Sequence, residues 1–485
     1  MRSEALRERL AAAGLLDGWP DGVPAELTGV TTDSRRVSPG GLFIAYAGST
    51  SDGHAYVPAA VHAGAAAVLV EHEVGGVEAP QILVSRGRHA ASLVAAQAYG
   101  DPADALTLLA VTGTNGKTTS VHLLRHLFGA AGTAASIGTL GAVGGDGAVL
   151  PGTESLTTPG PVELHASLAA LRAAGTTVVA LEASSHSLDQ ERLHGLRFRA
   201  GVFTNLTRDH LDYHRTEEAY RTAKLRLADL VADDGWLIVN ADSDAWAPLA
   251  RMARRLSFGL TAGDVRADEI EGDGRGMRFT LTWKGQAARL RLPLLGHYNV
   301  ENALGAAATA LALGMPLGEV AERLGTVPQV PGRMERLAEA PCVILRDYAH
   351  TPDALARALA ALRPLTRGRL LAVFGCGGDR DRGKRPVMGG IAAREADLAI
   401  VTSDNPRTED PGRILDEIEA GMGDTPHLRI VDRRLAIQRA LTIARPDDVV
   451  VLVGKGHETY QIIGTEKFPF DERDVVADAI KARGA

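Results

Sequence analysis

The stretch from Leu106 to Phe128 constrains the fold more than any other part of the chain. It reads Leu106-Thr107-Leu108-Leu109-Ala110-Val111-Thr112-Gly113-Thr114-Asn115-Gly116-Lys117-Thr118-Thr119, and then places Val121, Leu124, Leu127 and Phe128 at helical spacing. The short apolar run bounded by polar residues predicts a buried strand, and the spacing after it predicts a helix. Between the two, Gly113 and Gly116 let backbone N–H groups come close to an anion, because no Cβ blocks the approach. The helix start adds N–H groups that lack intrahelical partners and a positive dipole end. Lys117 is placed to meet outer phosphates, and Thr118 to offer its hydroxyl to Mg²⁺. The general phosphate-loop pattern G-x-x-x-x-G-K-[ST] is met in shortened form. Val111 stands where its first glycine belongs, leaving T-G-T-N-G-K-T-T.

A chain of 485 residues exceeds what one core supports, so two to four domains are expected. Hydrophobic residues make up 45% and charged residues 23%, the balance of a globular protein that needs no membrane. The net charge of −7 gives no general attraction to nucleic acid or to a membrane surface, and neither is expected as a partner. Cys342 and Cys376 supply no disulfide framework and suit a reducing compartment. Residues 1–10 are charged and carry no apolar centre, so no signal peptide is read there. A cytoplasmic monomer is the expectation.

Residues 1–100 read as a small α/β unit. Thr31-Thr32-Asp33-Ser34-Arg35 precedes a strand-like Leu42 to Tyr46, and Ser49-Thr50-Ser51-Asp52-Gly53-His54 is a polar loop. From 101 to 330, strand-like and helix-like segments alternate, which predicts a largely parallel sheet with helices on both faces. Ligands of such sheets gather at the carboxyl ends of strands. The run Thr177 to Leu181 ends in Glu182-Ala183-Ser184-Ser185-His186, and a carboxylate there, opposite a phosphate loop, can hold Mg²⁺ directly or through water. Val202 to Thr204 runs into Asn205-Leu206-Thr207-Arg208-Asp209-His210-Leu211-Asp212-Tyr213-His214, whose histidines and carboxylates suggest metal or phosphate contact. Lys224 lies on a predicted helix over 220–227 and, by composition alone, reads as a solvated lysine.

The proline-rich break at 328–332 marks a boundary, and 331–485 predicts a second, doubly wound sheet. Four strand-like runs there end in glycine, proline or charge: at Asp347, at Gly375 to Arg380, at Ser403 to Arg407, and at Gly454 to Glu458. In a parallel sheet these ends share one rim. Arg380 and Arg407 can therefore converge with Asp404 and Glu458. The guanidinium fork suits carboxylate, and the acidic pair suits an ammonium group, so together they describe a pocket for a small zwitterion.

These motifs carry a resemblance. The shortened loop, E-x-S-S-H at Glu182 to His186, T-N-x-x-x-D-H-L-D-x-H at Thr204 to His214, P-G-R-x-E at Pro331 to Glu335, and D-N-P-R at Asp404 to Arg407 resemble the Mur ligases. Related folylpolyglutamate synthetases share the loop but lack an N-terminal uridine unit. The resemblance implies three domains: a small N-terminal α/β domain for the uridine nucleotide (1–100), a central P-loop-type ATPase domain with a mostly parallel sheet (101–330), and a C-terminal Rossmann-like doubly wound domain for the amino acid (331–485).

It further implies ATP at Gly113, Thr114, Asn115, Gly116, Lys117, Thr118 and Thr119, with Asn299 near the base and Arg333 also in contact. Asn299 can equally be a helix cap. Mg²⁺ would be held by Thr118, Glu182 and His210. Lys224 would be carbamylated by CO₂ and help bind a second Mg²⁺, which requires a neutral amine and therefore favours burial. With Lys117, these residues would form the catalytic set. The nucleotide-sugar substrate, UDP-N-acetylmuramoyl-L-Ala-D-Glu, would meet Thr32, Ser34, Ser49, Thr50, Ser51, Thr157, Thr158, Ser184, Gln190 and Arg192. Arg380, Asp404, Asn405, Pro406, Arg407, Gly454 and Glu458 would bind diaminopimelate, Arg407 taking the carboxylate that lysine lacks. The implied reaction adds meso-diaminopimelate to the D-glutamyl γ-carboxylate through an acyl phosphate. The LL isomer carries the same charges, and lysine- or ornithine-adding members are the alternatives. A nucleotide-binding scaffold without turnover is the rival of a different class.

Overall fold

The computed structural model describes every residue except Ser49, Thr50, Ser155, Ala253 and Ala485. The chain divides into two compact units. One comprises Met1–Arg266 with Leu304–Pro316, and the other Ala267–Ala303 with Leu317–Ala485.

The first unit holds two sheets. Its N-terminal sheet has five strands in the order Leu16–Gly18, Gln81–Val84, Ala67–Val70, Leu42–Ile44, Val30–Thr31. All neighbours are parallel except the first pair. Leu42, Phe43, Ile44, Ala67, Val68, Leu69 and Val70 are fully or almost fully buried, as strands covered on both faces must be.

The second sheet of this unit is built around Thr107–Thr112. Phe198–Phe203 pairs parallel on one side of it and Val178–Glu182 parallel on the other. Val231–Asn240 and Arg255–Gly259 extend the first side. Ala134–Gly138 and the antiparallel Gly141–Val143 extend the second. Leu109, Ala110 and Val111 are wholly buried in this strand, each apolar side chain of leucine or valine size contributing about 1.5–3 kcal/mol. The helix Lys117–Phe128 follows directly and buries Val121, Leu124 and Leu127, the face its spacing predicts. Its basic last turn, Arg125 and His126, complements the negative helix end.

The second unit carries a six-stranded sheet in the order Glu335–Ala338, Val343–Asp347, Val449–Val453, Leu370–Phe374, Leu398–Val401, His427–Arg429. The first pair is antiparallel and every other pair parallel. Helices such as Pro352–Leu362, Pro411–Glu419 and Arg433–Ile443 bury apolar faces against separate cores on its two sides. This is the doubly wound arrangement predicted for 331–485. Gly276–Trp283 and Gln286–Leu292 add an antiparallel hairpin to this unit. Among the described residues, no helix is long and apolar enough to cross a membrane.

Candidate active site

The phosphate-loop residues sit where the central strand becomes a helix. Gly113 and Gly116 both have positive φ, 145° and 87°. A side chain at Gly113 would collide with the Thr204 hydroxyl, so the loop lies directly against the neighbouring strand end. That contact is stitched by hydrogen bonds. Thr114 N–H donates to the Asn205 carbonyl at 2.7 Å, Asn115 N–H to Asn205 Oδ1 at 3.0 Å, and the Thr204 hydroxyl to the Asn115 carbonyl at 2.8 Å. Thr118 and Thr119 are buried in the first helical turn. Lys117 folds back over its own loop, and its ammonium donates to the carbonyls of Gly113 and Thr114 at 3.0 and 2.7 Å.

Lys224 is not the solvated lysine of a surface helix. It lies on Glu217–Leu225 with 1% of its surface exposed, and its amine donates to the Gly113 carbonyl at 2.7 Å. It also sits 4.4 Å from the centre of the Tyr220 ring. Burial pushes its pKa well below 10.5, Lys117 pushes the same way, and Asp209 opposes. This site favours a neutral amine, the form that reacts with CO₂. Tyr220 donates to the Thr114 hydroxyl at 3.1 Å and so ties the lysine-bearing helix to the loop.

Glu182 is the last residue of its strand, level with Val111, and 1% exposed. Thr139 N–H donates to one carboxylate oxygen at 2.8 Å and the Thr139 hydroxyl to the other at 3.3 Å. Gly138 makes room for that carboxylate, since a Cβ there would overlap it. His210 follows the strand on the opposite side of the loop. Its backbone is left-handed, with φ 52°, and its ring packs edge-on to His186 at 4.8 Å. Partial desolvation lowers its pKa, with His186, Lys117 and Lys224 adding to the effect against the pull of Asp209. Glu182 and His210 thus stand at the carboxyl ends of the two strands that flank the phosphate-loop strand. The buried Glu182 carboxylate and the Thr118 hydroxyl are oxygen donors of the kind Mg²⁺ takes.

The residues expected to meet the nucleotide sugar fall into two groups. Thr158, Ser184, Gln190 and Arg192 form one connected network. The Thr158 hydroxyl donates to the Glu182 carbonyl at 2.7 Å, Ser184 N–H donates to that hydroxyl at 3.1 Å, and Arg192 donates to the Thr158 carbonyl at 2.8 Å and to Gln190 Oε1. Thr157 joins it through the Thr139 hydroxyl at 3.3 Å. Ser184 also caps the helix Ser185–Asp189. Thr32 and Ser34 follow the N-terminal strand Val30–Thr31, and Ser51 follows its neighbour Leu42–Ile44. Ser49 and Thr50 lie outside the described residues.

In the second unit the strand ends do share a rim. Leu370–Phe374 lies between Val449–Val453 and Leu398–Val401. A Cβ at Gly377 would stand 2.9 Å from Arg407 Nη1 and 3.7 Å from Arg380 Cγ, so both arginines flank that one glycine. Arg407 has a left-handed backbone, φ 51°, and donates to the Gly378 carbonyl at 2.8 Å. Pro406 is buried beside it, and a Cβ at Gly454 would lie 2.7 Å from Asp404 Oδ2.

The acidic pair differs from the expectation of an open ammonium site. Lys455, 0% exposed, donates to Asn405 Oδ1 and to Glu458 Oε2 at 3.1 Å each, and lies 3.8 Å from Asp404 Oδ1. The protein's own ammonium is thus already among these carboxylates. Asn299 is likewise engaged internally: its amide donates to the Leu295 carbonyl at 2.8 Å and accepts from Asn302 at 3.2 Å, the local bonding of a helix start. Arg333 stacks on the Tyr348 ring at 4.6 Å.

Thr139, Tyr220 and Lys455 are the residues that motif reasoning did not single out. A glycine-threonine pair at 138–139 leaving a strand carries little signal by itself. Lys455 sits inside the G-K-G-H-E run, and its burial had no local cue.

Three family models match the chain. These are the Mur ligase family catalytic domain at residues 26–99, the Mur ligase middle domain at 111–310, and the Mur ligase glutamate ligase domain at 332–456. A protein of Gloeobacter violaceus described as UDP-N-acetylmuramoyl-L-alanyl-D-glutamate–2,6-diaminopimelate ligase is 43% identical, the match covering 100% of this chain and 99% of that one. A Bradyrhizobium diazoefficiens protein of the same description is 44% identical over 95% of this chain and 96% of its own. Among solved structures, one described by that same activity aligns with a TM-score of 0.67 at 35% identity, covering 95% of this chain and 96% of its own. A MurF structure from Acinetobacter baumannii shares the fold, with a TM-score of 0.65 at 21% identity and 98% of each chain covered. The chain belongs to the Mur ligase family.

Proposed function

We propose that this chain is an ATP-dependent ligase that joins meso-diaminopimelate to the D-glutamyl γ-carboxylate of UDP-N-acetylmuramoyl-L-Ala-D-Glu. The observation that carries the reading is the convergence on one carbonyl. Lys117 and Lys224 both meet Gly113, between strand ends that present Glu182 and His210. Residues 1–100 hold the uridine nucleotide, 101–330 the ATP, and 331–485 the amino acid. The enzyme acts as a monomer in the cytoplasm and takes neither nucleic acid nor membrane as a partner.

The γ-carboxylate attacks the γ-phosphorus of ATP and ADP leaves. Lys117 turns from its own loop carbonyls to the phosphate oxygens, and the loop N–H groups stabilise the charge that develops there. Thr118, Glu182 and His210 would hold Mg²⁺, which supplies charge neutralisation on the phosphates. Lys224 as its carbamate would add an anionic ligand, and the burial that lowers its pKa favours the neutral amine which that modification needs. The Thr157–Thr158–Ser184–Arg192 network orients the muramoyl peptide beside Glu182. The second unit presents the diaminopimelate amine, which displaces phosphate from the acyl phosphate as the amide forms. Neither step needs a protein nucleophile, so catalysis comes from positioning and electrostatics.

The test is phosphate release by purified protein with ATP, Mg²⁺ and the nucleotide dipeptide, offering meso-diaminopimelate, LL-diaminopimelate, L-lysine and L-ornithine separately. Release that requires the nucleotide and is fastest with the meso isomer is the expected result. Release with lysine or ornithine instead would point to the other acceptor class. ATP hydrolysis indifferent to nucleotide and amino acid would overturn the ligase reading.

A further inference from the structure

The helix Gly87–Ala98 makes contact in two directions, and Glu191 receives one of them. On one side the helix start is tied to the chain that leads into the polar loop carrying Ser51. Glu71 accepts from Ala47 N–H at 2.9 Å with one carboxylate oxygen and from Gly87 N–H at 2.8 Å with the other, and Arg88 donates to the Ala47 carbonyl at 3.1 Å. On the other side the helix meets Glu191, just past the short helix Ser185–Asp189 that follows the Glu182 strand. Arg86 donates to Glu191 Oε1 at 3.1 Å, His89 Nε2 stands 2.9 Å from Oε2, and the Ser92 hydroxyl donates to the Glu191 carbonyl at 3.4 Å. His89 also lies 2.8 Å from Arg86 Nη2 and stacks on the His194 ring, with 3.6 Å between centres and planes 5° apart. Glu191 itself stands between Gln190 and Arg192 in the chain. Its backbone is left-handed, φ 57°, a conformation that a residue with a Cβ adopts at a cost. Its carboxylate meets the N-terminal helix, while Arg192 reaches Gln190 Oε1 and the Thr158 carbonyl.

We propose, resting on the nucleotide-sugar reading above, that Glu191 is a positioning residue that fixes the separation between the uridine-holding loop and the Thr158–Arg192 network. A nucleotide sugar that reaches from one to the other makes its second set of contacts as an intramolecular event. That gain is largest when the two sets are already held at the right separation, because less freedom is lost on binding. UDP alone meets only the first set and draws no advantage from the link. Glu191 and Arg86 act through what they hold and not by touching the ligand.

The experiment measures dissociation constants for UDP and for UDP-N-acetylmuramoyl-L-Ala-D-Glu by titration calorimetry, with KM and kcat alongside. It uses wild type, Glu191→Gln, Glu191→Gly, Arg86→Met and the double variant Arg86→Met/Glu191→Gln. Glu191→Gln keeps the size and removes the charge. Glu191→Gly removes the side chain and relieves the left-handed backbone, so strain and link are told apart. Each single variant is expected to weaken nucleotide-dipeptide binding about three- to tenfold, while UDP binding changes less than about twofold. The kcat at saturation and the KM for ATP should stay as in wild type. The double variant is expected to be no weaker than the weaker single one, since both substitutions break the same link. Equal weakening toward both ligands, or an unchanged constant for the nucleotide dipeptide, would overturn the proposal. Should the Glu191 variants not fold, Arg86→Met decides by the same comparison, at a side chain 56% exposed. Wild type that binds neither ligand would defeat the nucleotide-sugar reading itself, and the proposal with it. Wild type that binds both, beside variants that bind both equally well, would defeat the proposal alone.

Discussion

Lys117 and Lys224, 107 positions apart in the chain, donate to one and the same acceptor, the carbonyl oxygen of Gly113, at 3.0 and 2.7 Å. Two cationic side chains on one carbonyl repel each other, and the buried one yields its proton more readily. The loop lysine is therefore part of what lowers the Lys224 pKa. Lys117→Met is expected to lower kcat by about 10²–10³-fold, as loss of a charge-stabilising donor does. It should also raise the pKa of the Lys224 amine, so that the CO₂ dependence of any remaining activity moves to higher pH. Phosphate-release assays across pH, with and without added bicarbonate, check both effects.

The same burial makes a stability prediction. The folded-state pKa of Lys224 lies below its ordinary 10.5, so the folded chain binds fewer protons at this site than the unfolded chain. The resulting destabilisation is absent above pH 10.5 and grows as pH falls toward the folded value. Lys224→Met, which keeps the apolar stem, should therefore raise the melting temperature at neutral pH in CO₂-free buffer. The gain should shrink as pH approaches 10.5. A gain of about 1 kcal/mol would appear as about 2–4 °C. The same variant should lose ligase activity, which separates the role of the amine in the reaction from its cost to the fold.

Thr139 holds both oxygens of Glu182, one through its N–H and one through its hydroxyl. Thr139→Val keeps the shape and the N–H but removes the second bond and the link to Thr157. A ligand held by one bond instead of two is less firmly oriented, so the Mg²⁺ concentration for half-maximal rate should rise, by at most about 10–100-fold. An Mg²⁺ titration of wild type and variant is the check. ATP binding measured without metal should change little.

Arg407→Lys tests the geometry of the carboxylate contact. It keeps the charge but loses the fork, and with it the donor that reaches the Gly378 carbonyl at 2.8 Å. Use of diaminopimelate should fall by about 10–100-fold in kcat/KM, the loss expected for one charge-assisted contact of about 1.5–3 kcal/mol. Use of lysine, with no distal carboxylate, should change less. Competition between the two acceptors, read by mass spectrometry of the products, checks this directly.

Much of this arrangement is legible in the sequence because strand ends in parallel sheets are where chain chemistry and fold topology coincide. The apolar runs before Gly113, Glu182, Gly375, Ser403 and Gly454 all become central strands, and the charged or glycine-rich residues after them fall on shared rims. The hairpin Gly276–Trp283 with Gln286–Leu292 is harder to read. Its first strand does alternate Met277, Phe279 and Leu281 with Arg278, Thr280 and Thr282, as a half-buried strand should, but its second keeps only Leu290 and Leu292 as large apolar residues. Lys224 and Lys455 are not legible locally, because burial of a lysine is decided by distant groups: the Gly113 carbonyl for one, Asn405 for the other. For Asn299 the structure shows the bonding of a helix start, and nothing in its local sequence separates that from a role at the nucleotide base.

In the proposed reaction the γ-carboxylate is activated by phosphoryl transfer before the amine attacks. The most direct measurement labels that carboxylate of UDP-N-acetylmuramoyl-L-Ala-D-Glu with heavy oxygen and analyses the phosphate released during turnover with meso-diaminopimelate. The phosphate is expected to carry one heavy oxygen taken from the carboxylate. Phosphate released without the label, while the amide still forms, would contradict it.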